Sequence, residues 1–152
     1  MAITYRCDLA KSGSGGGSLK DFYRNKVLGD TTGLTSGTIS PFSTRSTVTE
    51  GGVVIDATLK SVWLYVDFTL AETKGNDYWA ALQIDITGFT SNYLPKTTSS
   101  TRQAITLFTD ETSDKPTNSF FSYVSSSNTI CIRKGDAFVE GDHYIIYGSW
   151  QY

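Results

Sequence analysis

Histidine is nearly missing from this chain: His143 is the single one in 152 residues. A His-Glu zinc signature is therefore absent, and neither a Gly-x-Ser-x-Gly elbow nor a phosphate-binding glycine loop occurs. Read as chemistry, His143 would be a general base oriented by Asp142. Neighbours on a strand point to opposite faces, however, so His143 is read as a turn-edge residue with no catalytic partner. Cysteine is scarce too, and Cys7 with Cys131 makes no disulfide framework. Cys131, within Thr129–Arg133, reads as a small core residue; a Cys7–Cys131 bridge is the alternative. Charged residues are 18% of the chain, the net charge is -2, and no basic cluster exists, which excludes a phosphate-backbone partner. No apolar run reaches the length of a membrane span, and residues 1–12 lack an apolar signal core. Neither membrane insertion nor export by a standard signal peptide is expected. The loop Asp110-Glu111-Thr112-Ser113-Asp114 has oxygen ligands, but it lacks the central Gly and terminal Glu of a calcium loop, so it is read as a solvated turn. No metal and no cofactor are expected.

What the chain does have is aromatic residues, 13% of the total, and alternation. From Val62 to Leu70, Val62, Leu64, Val66, Phe68 and Leu70 fall on one face, while Trp63, Tyr65, Asp67 and Thr69 fall on the other. That period of two marks a strand with one buried face. After the turn Thr73–Asp77, Tyr78, Ala80, Leu82, Ile84 and Ile86 oppose Trp79, Ala81, Gln83 and Asp85. The two runs are expected to pair as a hairpin. Further strands are expected at Val53–Leu59, Gln103–Thr109, Ser119–Val124, Thr129–Arg133, Ala137–Val139 and His143–Gln151, separated by Gly, Pro, Asn and Ser turns. The last strand is apolar on both faces, with Tyr144, Ile146 and Trp150 on one and Ile145 and Tyr147 on the other. Such a strand is covered on both sides, inside the domain or by a second subunit.

The organisation is one domain with a lead. Ser12–Ser18 reads Ser-Gly-Ser-Gly-Gly-Gly-Ser, a flexible hinge by composition; a natural hinge and an inserted spacer both fit it. Residues 1–18 are assigned as a flexible anchor and hinge, 19–45 as a short helix and connecting loop, and 46–152 as the β-domain. The helix rests on Ser18 with Asp21, a capping pair, and on Gly29 as a stop. Thr31 to Ser46, rich in Thr, Ser and Gly, reads as loop or short extended pieces. The fold class is all-β, a jelly-roll-like or β-sandwich domain behind a short anchoring segment.

Four pieces carry a family likeness: the strand Ala57–Leu70, the aromatic Tyr78-Trp79-Ala80, the turn Phe89 to Tyr93-Leu94-Pro95, and the closing turn Arg133–Asp136 followed by His143–Tyr152. In this order they resemble the C-terminal β-domains of bacteriophage tail-fibre, head-fibre and minor structural proteins, over roughly the last two-thirds of the chain. Asn92 stands where that pattern carries Gly before the Tyr. The resemblance implies a homotrimeric virion protein, assembled in the host cytoplasm, that displays its β-domain for host-surface attachment. It implies contact with other virion proteins through residues 1–30 and with a host-surface glycan, and no enzymatic activity. A capsid-decorating protein that stabilises the particle and a stand-alone carbohydrate-binding module are the alternatives.

Candidate binding residues are Trp63, Tyr65 and Trp79, which stand opposite the aliphatic rows and suit a sugar platform, a subunit interface or a second core layer. Tyr144, Ile146 and Trp150 are the candidate interface. Asp67 and Asp85, on the outward faces of the expected hairpin, would form either a glycosidase-like carboxylate pair or ordinary surface.

Overall fold

In the computed structural model, residues 18–41, 45–71, 83–86, 89–94, 105–111, 117–124, 129–134 and 138–152 are described. Apart from one α-helix and a short 3-10 helix, the regular structure among them is β. Helix α1, Leu19–Leu28, starts where the capping pair places it. Ser18 Oγ accepts the N–H of Asp21 at 3.2 Å, and the Asp21 carboxylate accepts the Ser18 N–H at 3.0 Å. The Ser18 hydroxyl, donating to the Asp21 carboxylate at 2.9 Å, and after it the Ser18 N–H hold the Asp21 carboxyl below its usual range. The helix stops at Gly29, where a Cβ would lie 2.4 Å from the carbonyl oxygen of Asn25. Ser18 is thus the N-cap of α1.

Eight strands follow: β1 Thr35–Pro41, β2 Ser46–Asp56, β3 Ser61–Leu70, β4 Gln83–Ile86, β5 Ile105–Glu111, β6 Thr117–Val124, β7 Thr129–Lys134 and β8 His143–Gln151. All pairings are antiparallel, and the order β1-β2-β3-β8-β5-β6-β7-β4 closes back on β1. The ring contains two Greek keys, β4-β1-β2-β3 and β8-β5-β6-β7. Raising each strand number by four returns the same ring, so the two halves are related by a topological pseudo-twofold. Among the described residues each strand has a neighbour on both sides, so none of the eight is an edge strand.

Three expectations are corrected here. The run Val62–Leu70 does not pair with Gln83–Ile86: β3 lies between β2 and β8, and β4 between β1 and β7. Alternation tells a strand which side chains share a face, but not which strand lies beside it. The stretch from Thr31 to Ser46, read as loop or short extended pieces, contains the short strand β1, whose Ile39 enters the core. Its threonines and serines suit a strand once neighbours take up its backbone groups. Ala137–Val139 supplies no strand among its described residues; Phe138 and Val139 are irregular and lead into a turn. The strand expected at Val53–Leu59 begins earlier, at Ser46, and ends at Asp56. There Asp56 Oδ1 accepts the N–H groups of Thr58 at 3.0 Å and Leu59 at 2.9 Å, and Lys60 turns the chain with φ 51°.

The interior of the ring is the core. Val53, Ile55, Val62, Leu64, Val66, Phe68, Leu70, Ile130, Tyr144, Ile146 and Trp150 all belong to it, in agreement with the aliphatic face read for β3. Aromatics close both ends. At one, the Trp150 indole N–H donates to the carbonyl of Tyr93 at 2.7 Å, on the 3-10 helix Ser91–Tyr93, with Phe89 edge-on to Trp150. At the other, Phe138 meets Tyr144 edge-on, and the Tyr144 hydroxyl accepts the N–H of Val139 at 2.8 Å.

Candidate functional site

The residues singled out by sequence fall into three places. Tyr144, Ile146 and Trp150 line the barrel interior, so none presents a surface to another subunit. Their strand is apolar on both faces because one faces the barrel and the other faces α1. Trp79 lies outside the described residues, as do Cys7 and Thr112–Asp114. Trp63 and Tyr65 do stand on the outer wall, but they are not bare: α1 lies across β2, β3 and β8 and builds a second core layer there. Tyr65 is only 2% exposed.

This outer layer joins Val27 of α1 to Val54, Tyr65, Ile145 and Tyr147, with Tyr23, Leu34, Trp63 and Phe108 packed against it. Tyr23 is its hinge pin, with its ring 5.4 Å from both Trp63 and Tyr147. Tyr147 in turn stacks on Phe108 at 5.5 Å. The helix can lie this low because Gly52 is under it: a Cβ there would sit 3.2 Å from Val27 Cγ1 and from the Gly37 carbonyl. Polar contacts tie the rim. The Tyr23 hydroxyl and Ser149 Oγ are 3.2 Å apart, Arg24 grips Glu50 with both Nε and Nη2, the latter at 2.6 Å, and Lys26 Nζ lies 3.9 Å from Asp56. A helix of this length is marginal alone, so this docking is what stabilises it.

Glu50 and Asp67 are direct partners across the β2–β3 ladder. Sequence reading missed this pair and matched Asp67 to Asp85, which instead pairs with Ser40 and Thr129. Opposed carboxylates repel unless each has its own counter-group. Glu50 has Arg24, and Asp67 has His143, whose Nε2 is 2.6 Å from Oδ1. The bonds from Arg24, helped by its charge and by the Tyr65 hydroxyl, hold the Glu50 carboxyl below its usual range. Burial first, then the charges of Glu50 and Asp67, push the Tyr65 phenol up to about 12. His143 is therefore partnered by Asp67 on the neighbouring strand. Among the described residues, no group of three or more His, Cys, Asp and Glu is placed to hold a metal ion. No helix among them is long and apolar enough to cross a membrane.

Among the described residues, the outer flank of α1 is also accessible. Leu19 and Phe22, one turn apart, are 42% and 41% exposed, and Trp63 is half-buried beside them. No family model, no curated protein and no solved structure matches this chain.

Proposed function

We propose that this chain is a non-enzymatic virion structural protein of the phage-fibre kind, displaying its β-domain for attachment to a host-surface carbohydrate. The observation that supports this reading is a closed barrel with helix α1 clamped to its outside. A display domain must survive outside the cell without pairing to its neighbours through strand edges, and closure provides that. Helix α1 begins on this outer wall, and contact with other virion proteins through residues 1–30 belongs to the same proposal. A jelly-roll-like domain belongs to the proposal, supported by the eight strands and two Greek keys. Assembly as a trimer belongs to the same proposal, but its surfaces are not those of β8, which the chain covers itself.

Capsid decoration is the second reading. It is favoured by the scatter of the exposed large apolar residues, with Leu59 and Val139 away from the helix, which is what a rigid, stand-alone plug would show. Electron microscopy of intact particles labelled with an antibody to this chain separates the readings. Label on fibres supports attachment, label across the head supports decoration, and particles that carry neither label nor the chain refute both.

A further inference from the structure

The covalent path from residues 1–17 to the barrel runs through α1 and then through residues 29–34 to β1. The ring of strands closes without the helix. Helix α1 holds to the wall by few contacts: Val27 is its one buried residue, Tyr23 is half-buried, and Leu19, Phe22 and Leu28 are exposed. Its ion pairs lie on the rim, with the side chains of Arg24 and Glu50 44% and 30% exposed, where water and salt screen them. The connector is a local turn. Asp30 accepts the N–H of Thr32 at 2.9 Å, the Leu34 N–H donates to the Thr31 carbonyl at 2.9 Å, and Gly33 has φ 78°. Beyond it β1 is held more firmly, by ladders to β2 and β4 and by Ile39 in the core.

We infer that α1 is a strap, peeled from the outer wall by tension on the lead while the barrel stays closed. This rests on the attachment reading above, in which residues 1–30 meet the particle and the β-domain meets the host, and adds how the chain bears a pull between them. Tension applied before Ser18 loads the helix contacts first and reaches β1 only once they give. A helix of 10 residues does not persist off its support. The segment from Ser18 to Leu34 then straightens to about 60 Å at most. The barrel keeps its ladders, because none of them includes α1. Release bares Tyr65, Tyr147 and Trp63 on a wall that remains folded. The attachment gains slack without loss of the displayed domain.

The test is to pull single molecules of the full chain in optical tweezers, between handles at the N-terminus and at Tyr152. An early, reversible step that lengthens the chain by less than about 60 Å is expected before the barrel ruptures. Moving the first handle to Thr35 bypasses the helix, so the early step should vanish while the rupture stays as it was. Tyr23→Ala removes the ring contacts with Trp63 and Tyr147 and leaves the barrel interior alone. It should lower the force of the early step, or abolish the step, without changing the rupture. Rupture of the parent in a single step overturns the strap. So does an early step that survives the handle at Thr35, or a Tyr23→Ala chain in which only the rupture force falls. Particles are scored separately with the antibody label. A parent chain with no early step, on particles that carry the label on their fibres, removes the strap and leaves the attachment reading standing. A parent chain with the early step, beside particles that carry no label, keeps the strap and refutes the attachment reading.

Discussion

Ile146→Ala decides whether β8 serves the core or a subunit contact. Ile146 is 0% exposed within a single chain and sits in the barrel interior, with Val66 on β3 and Thr109 on β5 opposite it in register. Emptying such a site removes the transfer energy of the lost carbons and leaves a cavity that a closed ring cannot easily collapse. The cost for a buried Ile→Ala is about 2–5 kcal/mol. For a domain of this size each kcal/mol lowers the melting point by roughly 2–4 °C, so a fall on the order of 10 °C is expected. Ile146→Val, at about 0.5–1.5 kcal/mol, gives a milder step if the Ala variant does not fold. Thermal unfolding by circular dichroism at low and high protein concentration, with light scattering on the same samples, reads the outcome. A core residue lowers the melting point equally at both concentrations and leaves the particle mass unchanged. An unchanged melting point with a reduced mass would refute the interior placement and return β8 to an interface.

The docking of α1 makes further predictions. Gly52→Val should loosen the helix by pushing against Val27 and the Gly37 carbonyl, seen as faster amide exchange in α1 while the β-strands stay protected. Ser18→Ala should cost about 1 kcal/mol of helix stability, read the same way, and truncating the chain before Ser18 rather than after it should preserve the helix. Because the Glu50 carboxyl is held low in the folded chain, its contribution is complete above the ordinary carboxylate value and is lost as pH falls through the folded one. Glu50→Gln should therefore flatten part of the acid limb of a stability–pH profile. Tyr65 works at the other end. Its folded value of about 12 lies above the ordinary 10.0, so its contribution is complete below pH 10 and fades as pH rises toward 12. Tyr65→Phe should weaken that alkaline decline.

Sequence by itself determined what is local. The capping pair Ser18 and Asp21 and the stop at Gly29 bound α1 correctly, because a cap needs only residues three apart. The alternation from Val62 to Leu70 assigned the inward side chains of β3, because a period of two is a property of one strand; that of His143–Gln151 grouped Tyr144, Ile146 and Trp150 on one face of β8, but took that face for an interface rather than for the barrel interior. The two apolar faces of β8 were also legible as faces needing cover. What covered them was not, and a second subunit was as good an answer as α1 until the helix was placed. Only the tertiary structure decided which strands are neighbours, because pairing is a choice among distant segments with similar patterns. That choice separated β3 from β4, turned the Ser- and Thr-rich β1 into a wall of the barrel, and carried Tyr144, Ile146 and Trp150 inside. It also set Glu50 against Asp67 and brought His143 to Asp67. The contact of Phe22 with Trp63 belongs to the same class: it joins a helix to a strand some forty residues away, and no local period records the distance between them.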